Sequence, residues 1–313
     1  MIVRWGIDSL PGVVEEVGIE RPLLVASPRW HDVGIAAAAR WQEVPSARIA
    51  DAVEEVGDGV IALGGGSAID LGKAISAGAR VPLVSVPTTY AGAEWTPYFG
   101  IRDPGRRLKG GGSGAQLAAA VYEPELTLSL PREQTVGTAL NALAHCAEAM
   151  YAEGHNAAGD AHAVQGASLI GEWLPQVVDR PHDLQARTKL LEGAMHAGAA
   201  LGASMLALGH AMAQALGGRY GLPHGAMNAL TLPQALAFNE EVAADAVRRF
   251  REEVGVDIEE LARLGGFERL RDFGIPEDDL PQIAAATVER AGAKANPRPA
   301  TAADVERLLH NVY

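Results

Sequence analysis

The sequence predicts an α/β protein in two parts, a parallel-sheet domain over residues 1–130 and an all-helical domain over residues 131–313. Two observations carry this expectation. Through the first third, short apolar runs ended by glycine or proline alternate with helix-length segments, the pattern of a parallel sheet with right-handed crossovers. Beyond Pro131 the strand pattern stops and helical periodicity takes over.

Taken in order, Leu23–Ala26 reads as a strand and Val33–Ala39, with its alanine run from Ala36, as a helix. Arg40–Val44 reads as a short strand ended by Pro45, and Ile49–Val56 as a helix. Gly59–Leu63 is short, continuous and apolar, as a buried strand should be. Ile69–Ala79 has apolar residues at helical spacing (Ile69, Leu71, Ala74, Ile75), and Pro82–Pro87 is the next strand. Arg102–Gly114 is polar and glycine-rich, which predicts a mobile loop or a wide hairpin. Helical patterns then cover Gln134–Ala152, Ala161–Val177, Asp183–Leu208, Met212–Ala215, Ala244–Val254 and several later segments. The domain boundary falls near Ser129-Leu130-Pro131.

The strongest local signal is Gly64-Gly65-Gly66-Ser67, between a strand and a helix. Glycines let backbone N–H groups approach an anion, and a helix N-terminus adds about half a positive charge. The dinucleotide pattern Gly-x-Gly-x-x-Gly is absent, because its third glycine would fall on Ile69. Alone, the run is equally a tight strand-to-helix turn with no ligand. Thr88 and Thr89 end the next strand, on the same carboxyl edge where ligands of such sheets bind.

Lys and Arg number 26 and Asp and Glu 39, for a net charge of −13, which argues against nucleic-acid and anionic-membrane partners. With one cysteine, Cys146, no intramolecular disulfide forms, and a reducing compartment is the default. Cys146 adjoins His145, but neighbours on a helix point about 100° apart and make no catalytic pair by adjacency, so Cys146 reads as structural. Residues 1–8 lack a signal-peptide pattern, and no apolar run approaches the about 18 residues of a membrane helix. Gly193–Leu208 is interrupted by His196 and reads as a core helix. The expected location is the cytoplasm.

In the helical half, Asn141 and His145 are i, i+4 and share a helix face, as do His210 and Gln214. Gly217–Pro223 ends one helix and His224 starts another. His145, His210 and His224 could converge in a cleft between the domains, although a lone histidine is more often a satisfied core or surface residue. Asp70 and Lys73 read as an i, i+3 surface pair with no catalytic role.

Several stretches together resemble the iron-containing alcohol dehydrogenase superfamily, and within it the maleylacetate reductases. They are Gly64–Asp70, Pro87–Glu94, Tyr122–Pro131, Asn141–Ala152 and Leu222–Leu230. The resemblance implies the dehydroquinate synthase-like, group III alcohol dehydrogenase fold, with a dinucleotide-binding domain and a substrate domain. It implies that Gly64, Gly65, Gly66 and Ser67 hold the pyrophosphate of NADH or NADPH and that Thr88 and Thr89 line the cofactor site. Gln42 matches the position that meets the ribose hydroxyls. Being neutral, it repels no extra phosphate and leaves both cofactors open.

Metal-dependent members bind their metal through an Asp and three histidines, whose positions here are Asn141, His145, His210 and His224. An amide oxygen is a weaker ligand than a carboxylate, so the resemblance to the metal-free reductases implies no tightly bound metal. It also implies a small carboxylic acid or carbonyl substrate, reduction of maleylacetate to 3-oxoadipate in aromatic compound catabolism, and a homodimer. Arg102, Arg106 and Lys109 are candidate carboxylate partners. Two departures matter. Gln214 stands where the family carries a proton-transferring histidine, and losing such a group costs about 10²–10⁴ in rate unless a neighbour replaces it. A further family histidine is absent, with Asn228 and Gln234 downstream of His224. The alternatives are a metal-dependent alcohol or aldehyde dehydrogenase and a repurposed non-redox enzyme or ligand-binding protein.

Overall fold

The computed structural model describes residues 1–313. Its strands are β1 (Ile2–Trp5), β2 (Pro22–Ala26), β3 (Ala39–Trp41), β4 (Gly59–Gly64), β5 (Pro82–Pro87), β6 (Phe99–Arg102), β7 (Leu108–Gly112) and β8 (Gln116–Tyr122). Six of them form one sheet in the order β1-β8-β5-β4-β2-β3, with every neighbouring pair parallel. With helices α1 (Leu10–Val17), α2 (Ile49–Glu54) and α3 (Gly66–Ala79), they make the first of two compact units, Met1–Ser129. Parallel strands are covered on both faces, which is why β2 and β4 read as unbroken apolar runs and are buried throughout. Alternate residues serve opposite faces. Leu24, Ile61, Val84 and Val121 pack with α1, whereas Leu23, Val60 and Leu83 pack with Ile69 and Ile75 of α3.

The sheet order has a functional consequence. β2 lies between β3 and β4, so the chain leaves β2 to one side and crosses back to the other for β4. A ligand-binding crevice forms at the carboxyl ends of strands where the order reverses in this way, and here those ends are Ala26 and Gly64.

Several expectations need correction. Val33–Ala39 is not helical. Ala38 N–H donates to Pro22 O at 2.9 Å and Ala39 pairs with Leu23 in the β2–β3 ladder, so sheet hydrogen bonds override the helix preference of alanine. The strand expected at Arg40–Val44 spans Ala39–Trp41 instead. β1, α1 and β8 carried no reading from sequence, although β8 sits inside the sheet. Lys73 is not on the surface. It is buried, with Nζ donating to Tyr98 O at 2.8 Å and Asp70 Oδ1 at 3.2 Å, and Gly100 N–H donates to Asp70 Oδ2. The pair thereby ties the β6–β7 hairpin to α3. That antiparallel hairpin is the hairpin alternative for Arg102–Gly114.

The second unit, Leu130–Tyr313, is helical throughout. Its helices are α4 (Arg132–Ala149), α5 (Ala157–Asp179), α6 (Leu184–Gly202), α7 (Leu208–Tyr220), α8 (His224–Asn239), α9 (Ala244–Val254), α10 (Ile258–Leu264), α11 (Leu280–Val288), α12 (Ala291–Lys294) and α13 (Ala302–Asn311). α4 has no solvent face from Ala139 to Ala149, and its many alanines let neighbouring helices close in on all sides. At one crossing the approach is limiting, since a Cβ on Gly225 of α8 would lie 2.3 Å from Gly137 O of α4. The helix expected over Asp183–Leu208 is split between Gly202 and Leu208, for a reason that belongs to the site below. No helix is long and apolar enough to cross a membrane.

Candidate active site

In the first unit the glycine turn leads from the end of β4 into α3. Gly64 has φ of 149°, where side chains are strained, and its backbone oxygen accepts from Thr88 N–H at 3.0 Å. α3 begins three residues earlier than its apolar periodicity indicated, and no side chain caps it. Gly65 and Gly66 are half-buried and Ser67 is exposed, so the first N–H groups of α3 can be reached by a ligand. A Cβ on Gly66 would meet nothing closer than Ala91 Cβ at 3.8 Å, and Thr89 Oγ1 is buried with no hydrogen-bond partner. The turn is therefore open on the side where the first N–H groups of α3 point, a geometry that suits an anion. Gln42 is exposed just past β3 and lines a shallow depression with Ser27, Trp30 and Arg40. Glu43 is turned away, accepting from Ser46 Oγ and lying 3.7 Å from Arg48. On the hairpin, Arg102 donates to Arg106 O and Lys109 pairs with Asp103 at 3.0 Å.

In the second unit α4, α7 and α8 bring the three histidines together. The rings of His145 and His210 stack with centroids 4.7 Å apart, and those of His210 and His224 lie 5.7 Å apart. Asn141 is one turn before His145, with Nδ2 3.5 Å from His145 Nε2. Gln214 is half-buried, one turn past His210. Cys146 lies in the core on the same helix, and burial pushes its thiol well up, as fits a structural role.

Two residues that sequence reasoning did not assign to the site complete it. Asn228, noted only as a missing histidine, donates from Nδ2 to Asn141 Oδ1 at 2.7 Å and lies 3.1 Å from His224 Nε2. Glu148, fully buried on α4, accepts from His210 Nδ1 at 2.8 Å and from the backbone N–H of Ala207 and His210. Those backbone bonds explain the split helix, because Glu148 together with Asn296 caps the first turn of α7 and lets it start afresh. The available signal was an acidic residue inside an otherwise apolar helix, one turn past His145.

The donor set of Asn141, His145, His210 and His224 is one amide and three imidazoles. It holds no carboxylate, and one amide, Asn228 Nδ2, already engages Asn141 Oδ1 and approaches His224 Nε2, two of the atoms a metal would need.

A parallel sheet with an open glycine turn at its reversal point, followed in the chain by a helical unit carrying a histidine cluster, suits an oxidoreductase of the nicotinamide-dependent kind. The chain belongs to the iron-containing alcohol dehydrogenase family. The family's C-terminal profile matches residues 135–313 and the iron-containing alcohol dehydrogenase profile residues 41–122. Maleylacetate reductase from Burkholderia cepacia is 37% identical over 262 residues, covering 82% of this chain and 74% of that protein. Maleylacetate reductase from Pseudomonas knackmussii is 35% identical over 306 residues, covering 90% and 87%. The crystal structure of maleylacetate reductase from Rhizobium sp. superposes with a TM-score of 0.87 at 32% identity, covering all of this chain and 95% of that one.

Proposed function

We propose that this protein is a metal-independent NAD(P)H-dependent reductase of a maleylacetate-like diacid, giving 3-oxoadipate. Residues 1–130 serve as the cofactor domain and residues 131–313 as the substrate domain. The observation that carries the metal-free assignment is the Asn228 amide bridging Asn141 and His224. The substrate assignment is supported by the likeness to maleylacetate reductases over most of the chain.

The reduced nicotinamide, when bound, supplies the hydride. Gly64, Gly65, Gly66 and Ser67 hold its pyrophosphate through backbone N–H groups, and Thr88 and Thr89 line that site. Gln42 carries no charge and repels no extra phosphate, so the cofactor is NADH or NADPH. His210 supplies the proton to the substrate as the activated C=C bond is reduced. His145 and His224 orient the ketone oxygen on which negative charge develops, and Asn141 fixes His145. Gln214 cannot titrate near neutral pH and only orients substrate oxygen. Arg102, Arg106 and Lys109 are the carboxylate partners. The resemblance further implies a cytoplasmic homodimer, whose assembly light scattering would read directly.

The test is oxidation of NADH and NADPH by chelator-treated protein with freshly prepared maleylacetate. We expect undiminished turnover after chelation. Loss on chelation with recovery on adding iron or zinc would replace this reading with a metal-dependent alcohol dehydrogenase. Absence of turnover despite cofactor binding would remove the substrate.

A further inference from the structure

We propose that the adenosine end of the cofactor site takes a 2′-phosphate on Arg40, so that this chain binds NADPH in preference to NADH. This rests on the reading of the glycine turn as the pyrophosphate site.

The sheet carries the site sideways from that turn. β4, β2 and β3 are neighbours, and their carboxyl ends are level, with Leu63 beside Ala26 and Val25 beside Trp41. Two strand spacings, about 10 Å, therefore separate the end of β4 from the end of β3. Trp30 bridges the two. Its indole Nε1 lies 3.9 Å from where a Cβ on Gly64 would stand, and it also lines the depression at the ends of β2 and β3. An adenosine ribose attached to a pyrophosphate at the turn reaches that depression across Trp30.

The polar groups there are Ser27, His31, Arg40 and Gln42, with no carboxylate among the lining residues. The two nearest acids are occupied elsewhere. Asp32 points to solvent and lies 3.3 Å from His31, and Glu43 accepts from Ser46 Oγ. A site for NADH places an acidic side chain on the ribose 2′-hydroxyl, whereas a site for NADPH places an arginine near the 2′-phosphate. Arg40 meets the second description. Its Nη2 donates to Ile35 O at 2.7 Å, which anchors the guanidinium. Arg40 makes no ion pair in the protein, so the remaining N–H groups can take a phosphate as a fork. Arg29, stacked 4.4 Å over the Trp30 ring, adds a second cation at this edge. In a chain with 39 acidic and 26 basic residues, this is a local reversal of charge.

The test is equilibrium binding to the full chain by titration calorimetry. One pair of ligands is adenosine 2′,5′-bisphosphate and adenosine 5′-monophosphate, which differ only in the 2′-phosphate, and the other is NADPH and NADH. The 2′-phosphorylated member of each pair is expected to bind at least about tenfold more tightly. Arg40→Gln should remove most of that gap, the loss falling on NADPH. Gln42→Glu, which adds a carboxylate at an exposed position, should weaken NADPH at least about tenfold and spare NADH.

NADH binding as tightly as NADPH to the wild type overturns the proposal. Equal weakening of both by Arg40→Gln also overturns it, leaving Arg40 as an anchor for the chain at Ile35. If Arg40→Gln does not fold, the wild-type pairs and Gln42→Glu decide. Absence of binding by either dinucleotide overturns the cofactor reading itself, and this proposal with it. Binding of both with NADH favoured overturns this proposal alone.

Discussion

Glu94 shows what full burial does to one carboxyl. Its Oε1 accepts from Tyr122 O–H at 2.7 Å, while Oε2 is buried without a partner. Burial raises its pKa above the usual carboxylate range, against smaller opposing effects from the Tyr122 hydrogen bond and Lys73. A carboxyl whose folded pKa is raised contributes stability that is complete below its unfolded pKa, about 4.3, and is lost as pH rises through the folded value. Glu94→Gln is therefore expected to gain stability over wild type progressively from about pH 4.3 upward, read as the difference in urea midpoints across pH. The site residues differ in how far they could be read from the chain. Asn141 with His145, and His210 with Gln214, declare a shared face through four-residue spacing. Glu148 and His210 are 62 residues apart, and no local spacing reports such a contact.

Among elements, the strand–glycine–helix turn was legible because its cause is local, a continuous apolar run and then residues that only backbone geometry explains. The Ala36–Ala39 run misled because its conformation is decided by hydrogen bonds to Pro22 and Leu23, well outside any helical window. The break between α6 and α7 was hidden for the same reason. Two glycine substitutions test the element geometry. Gly66→Ala meets no protein atom within 3.8 Å and replaces glycine in a helix, so stability should stay level or rise by about 0.5–1 kcal/mol. Its methyl would enter the space assigned to the pyrophosphate, so NADH should bind at least about tenfold more weakly, about 1.4 kcal/mol, in a fluorescence titration. Gly225→Ala would press on Gly137 O and force α4 and α8 apart. About 1–3 kcal/mol of stability should be lost in denaturant unfolding, with turnover falling as Asn228 loses Asn141.

On the scale of the molecule, the charge of −13 repels a dianionic substrate at long range. The Debye length shrinks from about 30 Å at 0.01 M salt to about 8 Å at 0.15 M, so kcat/KM for such a substrate should rise over that range in steady-state assays. The family fold was legible from motifs in sequence order, yet the outer part of the sheet was not. β8 pairs with β1 across more than a hundred residues, Ile2 with Ala119 and Trp5 with Tyr122. That pairing governs how the protein can be made. A chain growing on the ribosome holds its first strand in waiting until Tyr122 has emerged, and only then can the sheet be sealed. A start site moved past Trp5 would leave the backbone of Ala119–Tyr122 as an open edge of buried residues, which is a template for intermolecular pairing.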